Sequence, residues 1–172
     1  KTVTAANTVL NAYGRLNANA AVGATTITVS AIADLNGNAT FYNNTALQAG
    51  DLVVLYQPQG ATIDTTDSAT YGAVTNLNSA GRYELVPVAS VAGNVITVDT
   101  TALPGGLRFA YTTAGNAQVI RVPQFQNLTV NAGASVTSAV WDGQRGGLVF
   151  LAVNGTLNVA ANGSIDVSGR GF

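Results

Sequence analysis

Apolar and small polar residues alternate along the last third of the chain, in two copies of one pattern. The copies place apolar residues at matching positions, namely Leu128, Val130 and Val136 in the first and Leu157, Val159 and Ile165 in the second. Alternation with a period of two is typical of a half-buried β-strand. A strand pattern that recurs after one connection predicts stacked β rungs, an architecture of scaffolds, adhesins and fibres that sometimes carries a carbohydrate active site.

Other strand signals precede this repeat. Residues 52–56 form a continuous apolar run, which is typical of a strand covered on both faces. Residues 83–91 and 95–99 flank the pair Gly93-Asn94, and this arrangement predicts a hairpin because tight turns need positive φ values. Two more strands are predicted, from the β-branched residues 25–29 and from residues 118–122, which end at Pro123.

The first twenty residues carry a weaker pattern. Val9, Tyr13 and Leu16 have the spacing of a short helical turn, whereas the opening residues 2–4 favour a strand. We interpret residues 1–20 as an arm that docks on another element. The full prediction is an all-β chain with three parts: the arm 1–20, a compact β-barrel or sandwich over 21–125, and stacked solenoid-like or meandering strands over 126–172.

Composition narrows the function classes. Only 9% of the residues are charged and the net charge is −1, so no basic surface exists for nucleic acid. The chain has no Cys, which excludes disulfides and thiolate metal sites. No apolar run reaches the ~20 residues of a membrane-spanning helix, so we expect no membrane insertion. Polarity that comes from amides and hydroxyls favours a secreted or surface protein, and the chain fits a mature product or an excised segment.

Candidate catalytic chemistry is sparse. The chain has no His, and Glu84 is its single glutamate, so His-based catalysis and His-ligated zinc are excluded. A pair of carboxylates, as glycosidases use, would have to come from aspartates, with Asp142 beside Arg145 and Asp166 one rung away as candidates. The sequence Asp142-Gly143 is better explained as a turn. We therefore predict no catalytic residue.

Binding sites are also weakly marked. The loop 64–68 carries oxygen ligands for Ca²⁺ but lacks the pattern of an EF-hand, so we predict no metal and no cofactor. Aromatic residues are spread without a period, which favours core and rim packing over a sugar-stacking platform. These residues are Tyr42, Tyr56, Tyr71, Tyr83, Tyr111, Phe125 and Trp141. Trp141 and Tyr71 are nevertheless the candidates for contact with a glycan.

Several strings of the chain together resemble a known family. The chain is similar, over roughly residues 20–172, to the N-terminal region of the very large gliding-motility-associated cell-surface adhesins of Bacteroidetes-type bacteria, which the type 9 system secretes. The strings that carry this resemblance are residues 49–61, 71–84, 88–98, 119–130, 141–147 and 163–172. They are patterns of strands and turns and contain no active-site motif. The adhesins are far longer than this chain.

The resemblance implies export to the bacterial cell surface. It also implies O-glycosylation at Asp-Ser/Thr followed by a small or apolar residue, a motif that the chain matches three times. The implied attachment residues are Thr65, Ser68 and Thr100. Partners would be further copies of the chain, the remainder of a larger adhesin, or surface glycans.

Three function hypotheses follow. The first is a non-catalytic structural or adhesive module of a surface filament or giant adhesin, which assembles through strand edges and through the arm 1–20. The second is a glycan-binding module. The third is a carbohydrate-active β-helix enzyme that uses Asp142 and Asp166.

Overall fold

The structure is a computed structural model that describes all residues from Lys1 to Phe172. It confirms the all-β prediction, since its only helix is the 3-10 turn Ile32–Leu35. The strands are β1 (Thr2–Val3), β2 (Thr8–Val9), β3 (Ala12–Arg15), β4 (Thr26–Thr28), β5 (Leu52–Tyr56), β6 (Thr62–Ile63), β7 (Val74–Asn76), β8 (Tyr83–Ala92), β9 (Val95–Val98), β10 (Gln118–Val122), β11 (Gln124–Phe125), β12 (Leu128–Val130), β13 (Ser135–Thr137), β14 (Ala152–Val153), β15 (Leu157–Val159) and β16 (Ser164–Ile165). No helix is long and apolar enough to cross a bilayer.

Six strands form an antiparallel sheet in the order β3-β10-β5-β8-β9-β4. The two edge strands meet where Leu16 bridges Val29, beside a hydrogen bond from the N–H of Asn17 to the carbonyl of Thr28 at 2.8 Å. The sheet therefore curls until its edges touch, as in a small barrel. Its interior holds the largest apolar cluster of the chain, which includes Val53, Leu55, Val86, Ile96 and Val119. Closure of this kind leaves few unpaired strand edges.

Strand β5 lies at the centre of this sheet and is buried on both faces, as its apolar run predicted. Val53 and Leu55 point into the barrel, whereas Val54 packs outside it in a cluster with Tyr13 and Ile120. The residues that cover this outer face come from the segment before β14 and include Leu148 and Phe150. Burial on both faces accounts for the continuous apolar run of this strand.

The predicted hairpin is confirmed, with one difference in its turn. Strand β8 pairs with β9 across Gly93 and Asn94, but only Gly93 has a positive φ, at 56°. A positive φ at the first turn residue alone is the pattern of a type II′ turn, for which glycine is favoured. The prediction of positive φ at Asn94 was wrong because that residue is at the second turn position.

Apart from the antiparallel pair β6-β7, the remaining strands stack in parallel as three rungs of a β-solenoid. The first rung contains β1 and β2, the second contains β11, β12 and β13, and the third contains β14, β15 and β16. The register pairs Leu128 with Leu157 and Val136 with Ile165, so the two copies of the repeated pattern lie directly above one another. Stacked strands, not meandering ones, follow the barrel.

The chain enters the solenoid, leaves it and returns. Strands β1 and β2 form the first rung, β3 then joins the barrel sheet, and β11 resumes the solenoid after Pro123. The two parts are joined at Asn11, whose side-chain amide donates to the carbonyls of Arg121 at 3.0 Å and Phe150 at 2.8 Å. The division into 1–20, 21–125 and 126–172 stays a prediction, since strand pairing does not define independently folding units.

Candidate functional site

The third rung ends the solenoid with an uncovered apolar surface. Leu128 in the second rung is fully buried, whereas its register partner Leu157 is 43% exposed. Val130 is likewise buried and Val159 above it is 40% exposed. Ile165 and Val167 are equally exposed, although the second-rung partner of Ile165 is buried. The same side-chain positions that build the core therefore lack a neighbour at this end.

The opposite end of the solenoid is covered. Phe41 and Tyr42 pack in one buried cluster with Val3 and Leu10 of the first rung. The hydroxyl of Tyr42 donates to the carbonyl of Leu10 at 3.0 Å. Burial raises the pKa of this hydroxyl, which stays protonated as a donor. The segment from the barrel insertion thus forms a cap on the first rung.

A buried arginine holds this cap in place. Arg121 is only 1% exposed, and its guanidinium donates to the carbonyls of Asn44 at 2.9 Å and Thr45 at 2.6 Å. It forms a 2.8 Å ion pair with Asp51 and lies 4.3 Å from the ring centre of Tyr42. A charge buried this deeply is stable only when it is paired and hydrogen-bonded. Sequence reasoning missed Arg121 because nothing in its strand marks it as inward-facing.

Aromatic side chains gather along one side of the barrel where it meets the solenoid. Trp141 contacts Phe172 edge-on at 5.2 Å between ring centres, and Phe172 contacts Tyr56 at 5.7 Å. Tyr56 faces Tyr83 across the sheet, and Tyr83 contacts Phe150 at 6.3 Å. We call these five residues the aromatic row. Tyr83 and Phe172 are more than half exposed, so part of the row faces solvent.

The row is compatible with the interpretation of the aromatic residues as core and rim. Tyr42, Tyr111 and Phe125 are buried and Tyr56 and Trp141 are half-buried, whereas Tyr83 is exposed beside them. The sequence analysis did not single out Phe150 and Phe172. Only the register of β5 against β8 could have placed Tyr56 beside Tyr83. Tyr71 is 71% exposed, lies in the loop between β6 and β7, and belongs to no aromatic pair of the row.

Asp142 lies in a turn and in a cleft of about 420 Å³ that Tyr13, Asp34 and Arg145 also line. Its carboxylate accepts the backbone N–H groups of Gln144 and Arg145, each at 2.9 Å, which confirms the predicted turn. Desolvation opposes ionisation, but these hydrogen bonds outweigh it and lower the pKa of Asp142. A carboxyl with a lowered pKa is a poor general acid.

Asp34 and Asp142 both interact with one arginine, Arg145. Arg145 forms ion pairs with both and also donates to the carbonyl of Tyr13 at 3.0 Å. Asp166 follows the third-rung strand β16, where the hydroxyl and N–H of Ser168 lower its pKa. Catalysis by Asp142 and Asp166 remains a hypothesis without a geometric argument in its favour. No group of three or more ligating side chains that could hold a metal occurs.

Two of the three predicted glycan-attachment residues share one local structure. The side chain of Asp64 accepts from the N–H of Thr66 at 2.9 Å and from its hydroxyl at 2.6 Å, and Asp99 accepts from Thr101 at the same distances. Thr65 and Thr100, the middle residues, are exposed at the tips of these turns.

Ser68 is exposed as well, but its hydroxyl lies within hydrogen-bond distance of the hydroxyls of Thr66 and Thr70. Attachment at all three residues stays a prediction.

Comparison with known proteins gives no family. No family model matches the chain, and neither does any curated protein. Among solved structures the chain is similar to the tailspike gp61 of Pseudomonas phage phi297, with 16% identity, a TM-score of 0.41, and coverage of 91% of this chain and 20% of that chain.

Two further tailspikes are similar. Gp54 of Acinetobacter baumannii bacteriophage AP22, solved in complex with A. baumannii capsular saccharide, has 17% identity, a TM-score of 0.40, and coverage of 95% of this chain and 24% of that chain. Gp49 of Pseudomonas phage LKA1 has 20% identity, a TM-score of 0.35, and coverage of 76% and 22%. The chain thus spans about a fifth to a quarter of these tailspikes, and similarity at this level does not extend to function.

Proposed function

We propose that the chain is a non-catalytic extracellular structural or adhesive module that contains three rungs of a β-solenoid and presents its third rung for assembly. The observation that carries this proposal is the exposure of Leu157, Val159 and Ile165, whose second-rung partners are fully buried. A further rung would bury these apolar side chains and pair the free N–H and C=O groups of β15 and β16. It would come from the remainder of a larger adhesin or from another copy.

The direction of assembly follows from the cap. Phe41 and Tyr42 pack in one cluster with Val3 and Leu10 of the first rung, whereas no such segment packs on the third. The arm 1–20 pairs with β12 and β13 through Thr2–Val3 and Thr8–Val9, and its strands β1 and β2 remain at the edges of their sheets. The third rung is therefore the main surface that we propose for assembly, and the outer edge of the arm is the second. Terminal repeats that lack a polar cover are where solenoids continue.

The biological setting is part of the proposal. We infer a place on the bacterial cell surface, as a module of a gliding adhesin or a filament, with O-linked glycans on Thr65, Ser68 and Thr100. The low content of charged residues and the exposure of the three hydroxyl residues support this setting. An intact mass of the native protein equal to that of the bare sequence would exclude the glycans.

The assembly proposal can be tested by adding one rung. A copy of residues 144–172 appended after Phe172 would place a second Leu157 one repeat beyond the first, in the register that joins Leu128 to Leu157. We expect the amides of β15 to become protected from hydrogen exchange and the melting temperature to rise. A scrambled copy of the same composition is the control. Unchanged exchange in β15 would show that the third rung is no template.

A glycan-binding module is the second candidate, and the aromatic row favours it. Exposed rings that carry a polar atom, such as the tyrosine hydroxyl and the indole N–H, bind ligands that are part apolar and part hydroxylated. A glycan array with the chain and with Trp141→Ala and Tyr71→Ala variants tests this candidate. Absence of any bound glycan would remove it, and unchanged binding by both variants would remove these two residues as contacts.

A further inference from the structure

A cleft beside the aromatic row combines an apolar floor with arginine side chains that form no salt bridge. The cleft has a volume of about 430 Å³ and begins at Tyr83, which also belongs to the row. Its walls come from β8 and from the segment after β9, namely Leu85, Pro87, Ala102, Leu103, Arg108 and Phe109. Leu85 is 52% exposed although it lies in a strand at the centre of the barrel sheet. We call this site the arginine cleft.

Two arginines supply the charge. Arg108 lines the cleft, and the guanidinium of Arg82 lies 4.4 Å above the ring centre of Phe109, another lining residue. Both side chains are exposed, and neither takes part in a salt bridge, whereas Arg121 and Arg145 are paired with aspartates. One unpaired cation in the cleft and a second stacked on one of its lining rings are notable in a chain with seven basic residues in all.

The only carboxylate in the cleft is already engaged. Glu84 is buried, and its two oxygens accept the backbone N–H groups of Arg108 at 2.9 Å and Phe109 at 3.3 Å. These bonds use the carboxylate to hold the loop that carries Arg108. The guanidinium groups at the rim therefore remain available to an anion from outside.

We propose that the arginine cleft binds a carboxylate-bearing saccharide, such as a uronic acid unit of an acidic polysaccharide. This inference rests on the glycan-binding candidate function and names its ligand class. The ring of Tyr83 and the side chain of Leu85 form an apolar surface for one face of a pyranose ring. Arg108 and Arg82 pair with the carboxylate, in the geometry that guanidinium groups favour. The rest of the aromatic row extends from Tyr83 and accommodates neighbouring sugar units.

Amide chemical shifts measured by NMR during titration test this site. The probes are trigalacturonic acid, the neutral galactose trisaccharide of the same linkage, and triglutamate as an acidic peptide. We expect the acidic saccharide alone to shift the amides of Tyr83 and Arg108, with an affinity that falls as salt is added. Arg108→Gln should weaken binding about tenfold, the usual weight of a charge-assisted hydrogen bond.

A matched control is available in Arg15, which is also exposed and without an ion pair. Arg15→Gln removes the same charge outside the cleft and should leave binding unchanged. If both variants weakened binding of the acidic saccharide equally, the effect would come from the net charge of the protein, and the proposed site would be wrong.

The remaining outcomes separate the site from the function. Equal binding of the neutral trisaccharide at the cleft would overturn the ligand class but keep the glycan-binding function. Shifts confined to Trp141 would keep the function and overturn the cleft. Equal binding of triglutamate would show a general carboxylate site and overturn a saccharide ligand. No response to either saccharide, together with an empty glycan array, would overturn both.

Discussion

At the scale of single residues, Arg121 shows how a charged side chain in a barrel strand can hold the segment that packs on the solenoid. It lies in β10, but its guanidinium binds the segment that covers the first rung. Its Nε atom has no hydrogen-bond partner, so even this set of contacts is incomplete. The buried cation links the two parts of the chain at one point.

Replacing this arginine should be costly. Arg121→Leu would remove the cation that pairs with Asp51 and the guanidinium donors to the carbonyls of Asn44 and Thr45. Asp51 would keep only the N–H of Gln48, and we expect a loss of about 3–5 kcal/mol in the free energy of unfolding. Arg108→Leu, at an exposed arginine, should change it by less than about 0.5 kcal/mol. Urea unfolding measures both variants. Equal losses would mean that the buried contacts of Arg121 contribute nothing.

Asp64 gives a prediction about pH. Hydrogen bonds from the hydroxyl of Thr66, then from that of Thr70 and from the Thr66 N–H, lower the pKa of Asp64 to about 2. A lowered folded-state pKa contributes stability above the unfolded value of 3.8 that is lost as the pH falls towards 2.

We expect the side-chain carbon of Asp64 to titrate by NMR with a midpoint near pH 2. The double variant Thr66→Val, Thr70→Val should move this midpoint up towards 3.8, because both hydroxyl donors are lost. A midpoint already near 3.8 in the unmodified chain would contradict the hydrogen bonds of this loop.

At the scale of elements, a close backbone contact and a positive φ explain why the turn at residues 105–106 requires glycine. Gly105 and Gly106 are adjacent and both have positive φ, at 84° and 75°. A Cβ atom at Gly105 would meet nothing within 4 Å, whereas one at Gly106 would lie 2.6 Å from the carbonyl oxygens of Gly23 and Ala24.

The two alanine variants should therefore differ. Gly105→Ala should cost about 1–2 kcal/mol through its left-handed backbone alone. Gly106→Ala should cost more, about 3 kcal/mol or above, because the turn would have to move away from the carbonyls of Gly23 and Ala24. Thermal unfolding of the two variants checks this order, and a reversed order would refute the packing of this turn.

The solenoid rungs offer a second matched pair. Leu128 and Leu157 occupy the same position in successive rungs, but only Leu128 is fully buried. We expect Leu128→Ala to lower the free energy of unfolding by about 2–5 kcal/mol, as for other core leucines. Leu157→Ala should cost less than half as much. Equal costs in chemical denaturation would indicate that the third rung is covered in solution.

At the scale of the whole molecule, one covered end and one open end predict limited association. Two copies can meet through their third rungs, and Phe41 and Tyr42 pack on the first rung, so we expect pairs to be favoured over a long stack. We expect sedimentation velocity at physiological salt to show pairs that form with rising concentration, and negative-stain images to show short end-to-end particles.

A lysine substitution should distinguish association through the third rung from non-specific association. Val159→Lys places a charge on the third rung and should abolish the pairs, whereas Val22→Lys changes an exposed valine outside the solenoid. Loss of pairs with both variants would point to non-specific association. Long regular fibres would mean that the segment around Phe41 and Tyr42 leaves the first rung.

Five of the six barrel strands, the hairpin and the repeat can be predicted from local sequence patterns alone. The alternation in 128–136 and 157–165, the apolar run 52–56 and the turn at Gly93 depend on neighbours within a few residues, and the structure agrees with each. The repeated pattern also determined its own register, because only one alignment stacks Val130 on Val159 and Val136 on Ile165.

Which distant segments of the chain meet depends on the tertiary fold. Thr2–Val3 pairs with β12, although all the barrel strands lie between them in the sequence. Arg121 contacts the segment that packs on the first rung. Tyr83 belongs to both the aromatic row and the arginine cleft. Such contacts depend on how the sheet closes and on which strands pair, and a linear pattern does not contain this information. The surfaces proposed for assembly and for saccharide binding arise there because each combines residues that are far apart in the chain.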